Sequence, residues 1–179
     1  MPPFPYLTIA ILAAALPCAS VLAAEAHVHG QAHLAIAVDG GSLTLMLESP
    51  TDSLVGFEHA PRNAKERAAV AKMKQVLEQA GELFKPSPAA NCKPAGVKLE
   101  SPLLEAGHGA AGKDDHGHAG HADLDAEFMF QCAQPGRLRD LEVLLFDRFP
   151  GMKTLNVEVA GPKGQKAVQL NPRQRKVSW

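Results

Sequence analysis

The sequence lacks any hydrophobic run long enough to cross a bilayer, any surplus of charge of one sign, and all but a few cysteines. Its longest apolar run, Leu7 to Leu16, is broken by Pro17 and falls short of the ~20 residues that a membrane-spanning helix needs. Eighteen Lys and Arg against nineteen Asp and Glu leave a net charge of −1 in 179 residues. That balance offers no electrostatic footprint for nucleic acid. There are three cysteines, none in a Cys-x-x-Cys arrangement, which excludes a thiolate zinc ribbon. His-Glu-x-x-His, Gly-x-Ser-x-Gly and zinc-deaminase patterns are absent as well, so no catalytic motif points to an enzyme.

What the N-terminus does contain reads as a secretory signal over residues 1–24. A short apolar core, Pro17 and a following series of small residues fit that pattern, although no Lys or Arg precedes the core. Cleavage is compatible with the positions after Ala23, Ala24 or Ala26. Lipid attachment at Cys18 fits poorly because Pro17 stands just before it. The remainder, 25–179, suits a single metal-binding domain able to bury a core, with no stable membrane insertion once the signal is gone. Two cysteines then remain, Cys92 and Cys132, the number for one disulfide in an oxidising compartment. Such a bridge would close about 40 residues and contribute up to ~4 kcal/mol. Two buried free thiols are the alternative.

Periodicity predicts an α+β fold, a mostly antiparallel sheet with one principal helix against it. His33 to Val38 and Leu43 to Glu48 alternate cleanly about Asp39-Gly40-Gly41, a hairpin pattern. Leu54, Val55 and Phe57 are too apolar for an idle loop and suggest one helical turn, holding Glu58 and His59 in place. Asn63 with Glu66 forms a capping pair. Val70, Met73, Leu77, Ala80 and Phe84 then follow helical spacing, which predicts a helix over 63–84. Strands are expected at 97–100, 127–132 and 141–146, the last a central one. A helical turn over 146–149 and a hairpin of 154–159 with 166–170 should follow. The tail from Asn171 should be exposed apart from Val177 and Trp179. Ala32 to Pro50 and Ala126 to Pro150 share a strand–turn–strand–Pro rhythm. The stretch 105–123, rich in Gly, Ala, His and Asp, has no period and reads as a mobile His-rich loop.

The eight histidines fall in three places. His27, His29 and His33 occupy odd positions before the even apolar series Leu34, Ile36 and Val38. On an extended strand they would share one face, with Cα atoms two residues apart separated by ~6.5 Å. Neighbouring imidazoles could converge on one ion at a Zn–N distance of ~2.0–2.1 Å. Gly30 could introduce a bulge that changes which residues point together. A single histidine is more often a surface or hydrogen-bonded residue, and this is the simpler account of His33. His59 stands alone, while His108, His116, His118 and His121 lie in the loop with Asp114, Asp115 and Asp123. Short histidine-rich tracts bind metals by composition, though a solvated linker would look similar. Imidazole with carboxylate suits zinc; copper and nickel are alternative cargoes, and the affinity order favours copper where it is available. A three-ligand zinc site with an open position would also permit hydrolysis, but no general base stands at a motif spacing.

Several motifs together carry a family resemblance: His27-Val28-His29-Gly30-Gln31-Ala32, Glu48-Ser49-Pro50, Leu54-Val55-Gly56-Phe57-Glu58-His59, Phe128-Met129-Phe130-Gln131-Cys132 and Phe149-Pro150-Gly151. With them, 25–179 resembles the ZrgA-type periplasmic zinc-binding proteins. The resemblance implies an exported zinc-binding protein of Gram-negative bacteria that assists zinc import beside an ABC-type zinc transporter or its binding protein. It also implies His27, His29 and His59 as ligands of an ordered Zn2+ site. Glu127 or water is the expected fourth ligand, with His108, His116, His118 and His121 as weaker accessory ligands.

Overall fold

The computed structural model describes residues 28–105 and 122–179. β1 (Gln31–Asp39) buries Ala32, Leu34 and Ile36, and β2 (Ser42–Pro50) buries Leu43, Leu45 and Leu47. Their alternation makes the expected antiparallel hairpin, in register from His33↔Glu48 to Asp39↔Ser42. Gly40 turns the chain at φ +54°, a conformation in which glycine's missing Cβ avoids a clash. The expected helical turn follows as α1 (Asp52–Val55), ended by Gly56 at φ +86°.

α2 (Ala64–Leu77) starts where its capping pair predicts. Asn63 Oδ1 accepts the Glu66 N–H at 2.9 Å, while the Glu66 carboxylate accepts from Arg62 N at 2.6 Å and Asn63 Nδ2 at 2.8 Å. Val70, Met73 and Leu77 form its buried face. The helix does not run to Phe84 as expected. It stops after Leu77, and a separate turn, α3 (Ala80–Leu83), leads into β3 (Phe84–Pro86). Phe84, Lys85 and Pro86 pair with β6 (Asp140–Val143), and Leu83 O accepts the Leu144 N–H at 2.8 Å. Tertiary hydrogen bonds thus replace the helical ones, and tertiary context overrides propensity. Ala80, Leu83 and Phe84 stay buried regardless.

β4 (Cys92–Glu100) begins earlier than expected and carries a bulge between Pro94 and Gly96. α4 (Pro102–Glu105) follows it, and β5 (Asp123–Cys132) buries Ala126, Phe128, Phe130 and Cys132 on one face. Asp123, expected in the His-rich loop, opens this strand, and Ala122 is buried. His108, His116, His118 and His121 lie outside the described residues, as do the expected signal segment 1–24 and His27. Cys92 and Cys132 face each other across β4 and β5 and form a disulfide.

The strand expected over 141–146 is shorter. β6 ends at Val143, and α5 (Leu145–Arg148) turns Leu145 and Phe146 into the core. β7 (Thr154–Gly161) and β8 (Gly164–Leu170) form the second expected hairpin, and β9 (Lys176–Ser178) buries Val177. The main sheet has the order β4-β5-β2-β1-β7-β8. β1 and β7 run parallel, and every other neighbouring pair is antiparallel. A second sheet, β3-β6-β9, is antiparallel and has β6 at its centre. Consequently Ala32 to Pro50 is a hairpin within one sheet, whereas Ala126 to Pro150 spans both, so the shared rhythm is not a structural repeat. The protein is sheet-rich; α2 has 14 residues and each of the other four described α-helices has four. The two sheets meet in the core, where the Phe84 and Phe128 rings lie 4.8 Å apart at 58°. No helix among the described residues is long and apolar enough to cross a membrane.

Candidate metal centre

The end of the main sheet where β1 begins and β2 finishes gathers three chain segments. β1 starts at Gln31, so His29 is in the turn before it and Gly30, at φ +80°, breaks the alternation that would have aligned His29 with His33. Gly30 N–H donates to Ser53 Oγ at 3.0 Å, and Gly30 O accepts from Lys153 N at 2.7 Å and Thr154 N at 3.0 Å. The segment from α1 to Glu58 is fastened from the other side. Thr51 N–H donates to Ala122 O at 2.9 Å, and Thr51 Oγ1 donates to Phe57 O at 2.9 Å. The second bond folds residues 51–57 back so that Glu58 returns beside Asp52.

His29, Asp52 and Glu58 meet as a result. His29 Nδ1 lies 3.1 Å from Asp52 Oδ2, and Nε2 lies 3.9 Å from Glu58 Oε1. One potential ligand atom from each of the three falls within 4.8 Å of the others, and no other such group occurs among the described residues. The imidazole is 68 % exposed while the two carboxylate side chains are 20 % and 16 % exposed. An ion arriving from solvent would thus meet the accessible imidazole first, with the Asp52 carboxylate and the buried Glu58 Oε1 behind it.

His59, adjacent in sequence, faces elsewhere. Its Nδ1 lies 3.0 Å from Ala60 O and 4.0 Å from Glu66 Oε2, and its ring stacks on Phe57 at 5.1 Å. Because a carbonyl only accepts, the Ala60 contact puts the proton on Nδ1 and leaves the Nε2 lone pair open. His33 stands on the exposed face of the sheet, in a cross-strand row with Glu48, Asp125 and Glu100. Glu127 is not brought to His29. It lies between Lys98 and Met46 on the neighbouring strands, four residues past Asp123 and so about 13 Å along β5. The carboxylates at His29 are Asp52 and Glu58. Glu58 had a signal in sequence, its place in the Val-Gly-Phe-Glu-His motif; Asp52 had none.

The family profile of ZrgA family zinc uptake proteins matches residues 26–179. The chain belongs to the ZrgA family. The match covers every strand and helix described above, including the turn that carries His29 and the loop that carries Glu58. ZrgA proteins are zinc uptake proteins rather than a family of enzymes, in keeping with the missing catalytic motifs. No match was found among curated proteins.

Proposed function

We propose that this ZrgA protein is exported to the periplasm, captures zinc there, and assists an ABC-type zinc transporter or its binding protein. The observation that carries the reading is the His29–Asp52–Glu58 group. Two donor atoms bound to one tetrahedral zinc lie about 3.3 Å apart, from metal–ligand distances near 2.0–2.1 Å. The 3.9 Å between His29 Nε2 and Glu58 Oε1 needs only a small contraction to reach that span. The 3.1 Å between Nδ1 and Asp52 Oδ2 is a hydrogen-bond length. Asp52 would therefore hold the proton on Nδ1 and aim the Nε2 lone pair at zinc, the outer-carboxylate role common at zinc histidines. His59, once its ring turns from the Phe57 stack, and His27, two residues before His29, are the candidates to complete the shell.

Competition titration of the mature chain tests this. His29→Ala and Glu58→Gln should each weaken the tightest zinc binding at least tenfold, and His29→Ala with His59→Ala should remove it. Wild-type stoichiometry and affinity in all three variants would overturn the assignment of the site. Copper bound in protein from the native periplasm, with zinc binding only weakly, would overturn the choice of cargo.

A further inference from the structure

We infer that the Ser53 hydroxyl is the positioning group of the zinc site, holding His29 and Asp52 in register across two distant chain segments. This rests on the His29–Asp52–Glu58 reading. Ser53 is 2 % exposed. Its Oγ accepts the Gly30 N–H at 3.0 Å and donates to Asp52 Oδ1 at 3.2 Å. One oxygen therefore touches the peptide unit that follows His29 and the carboxylate that faces the His29 ring. Binding Oδ1 leaves Oδ2 turned toward Nδ1, where it lies at 3.1 Å.

The Ser53 backbone is itself held from behind. A Cβ at Gly151 would lie 2.5 Å from Ser53 O and 3.0 Å from Ser53 C, so the Pro150–Gly151 bend packs directly on the Ser53 backbone. A Cβ at Gly30 would meet Lys153 Cγ at 3.2 Å and Gly151 O at 3.3 Å. Gly151 is therefore a glycine because the Ser53 backbone leaves no room for a Cβ, whereas Gly30 is one chiefly for its φ of +80° and stands tight against Lys153 and Gly151 besides. The Phe149-Pro150-Gly151 motif, which supplies no metal donor, acquires a role as the buttress of Ser53. Groups that orient metal ligands from outside the coordination shell typically change metal affinity by 10–100-fold, and a hydroxyl serving two ligand-bearing segments belongs in that class.

The test measures zinc affinity by competition titration of the full mature chain, with circular dichroism of each metal-free variant. Ser53→Ala should weaken zinc ten- to hundredfold while the metal-free spectrum is retained. Ser53→Gly also removes the hydroxyl but leaves room for a water to accept from the Gly30 N–H, and should weaken zinc as well, which keeps the test decisive if the alanine variant does not fold. A purely structural role would not predict coupling to Asp52. Ser53→Ala combined with Asp52→Asn should bind zinc more tightly than the product of the two single effects requires, because the hydroxyl acts partly through that carboxylate. Independent multiplication of the two effects, or unchanged affinity in both Ser53 variants, would overturn the inference. If His29→Ala and Asp52→Asn weaken zinc while the Ser53 variants do not, only the positioning role fails. If His29→Ala and Asp52→Asn leave affinity unchanged, the site reading fails and this inference with it.

Discussion

Replacing both Cys92 and Cys132 with alanine should lower stability substantially and leave zinc affinity alone. The disulfide joins residues separated by 40 positions. In the chain-entropy model, a closed loop of that size removes about 13 cal/mol/K from the unfolded ensemble, or roughly 4 kcal/mol at 25 °C. The folded state does not need the bond for its geometry. β4 and β5 pair from Cys92↔Cys132 to Glu100↔Asp125, so the ladder already sets the two residues opposite each other. Alanine avoids burying a lone hydroxyl at position 132, where the side chain is 3 % exposed. Measured contributions of disulfides are typically about 2–4 kcal/mol, so the expected loss lies in that range. At a urea m-value of roughly 1–3 kcal/mol/M this moves the midpoint by about 0.7–4 M. The site lies at the other end of the same strand, since Asp123 pairs with Pro50 and Thr51 bonds Ala122. Cys132 is nine residues beyond Asp123, about 30 Å at the rise of a strand. Zinc affinity of the folded double variant should therefore stay within about threefold of wild type, because well-separated sites behave independently. Urea unfolding and zinc competition on the same preparations measure both quantities. A tenfold loss of affinity in a variant that remains folded, or a stability change under about 1 kcal/mol, would refute the reasoning.

Asn63→Ala should cost about 1 kcal/mol, the usual value of an N-cap, measured by urea unfolding. The same cap carries a pH dependence. The Arg62 backbone N–H, followed by the Asn63 side chain, holds the Glu66 carboxyl below the usual glutamate range, outweighing a smaller opposing effect of burial. A depressed carboxyl contributes stability above its unfolded pKa and loses it as pH falls through the folded one. The advantage of wild type over Glu66→Gln should thus be full near neutrality and fade below the usual glutamate range; an advantage that grows on acidification would contradict it. Deleting 107–120 should remove additional, weaker zinc sites while leaving the tightest one, because ordering a Gly- and His-rich chain around an ion costs entropy. Loss of all tight binding in titrations of that variant would make the segment a primary source of ligands.

The local patterns in this chain were legible wherever a neighbour in sequence supplies the physics. Alternation with a glycine turn produces the β1–β2 hairpin, and Asn63 with Glu66 marks the start of α2. Two cysteines in a chain expected to be exported suggested the bridge that β4 and β5 make. Periodicity also identified Leu77, Ala80 and Phe84 as core, but not where α2 ends, because that depends on β6 offering hydrogen bonds to Phe84–Pro86 from far along the chain. The site divides in the same way. Composition singled out the histidines, and motif resemblance pointed to His29 and to the loop with Glu58. Only the tertiary structure decided that Gly30 turns His29 off the strand face, that Asp52 and Glu58 meet it, and that Glu127 does not. Those partners are set by one left-handed glycine and a buried serine hydroxyl linking positions 30 and 53, contacts between distant segments that no periodicity along the chain encodes.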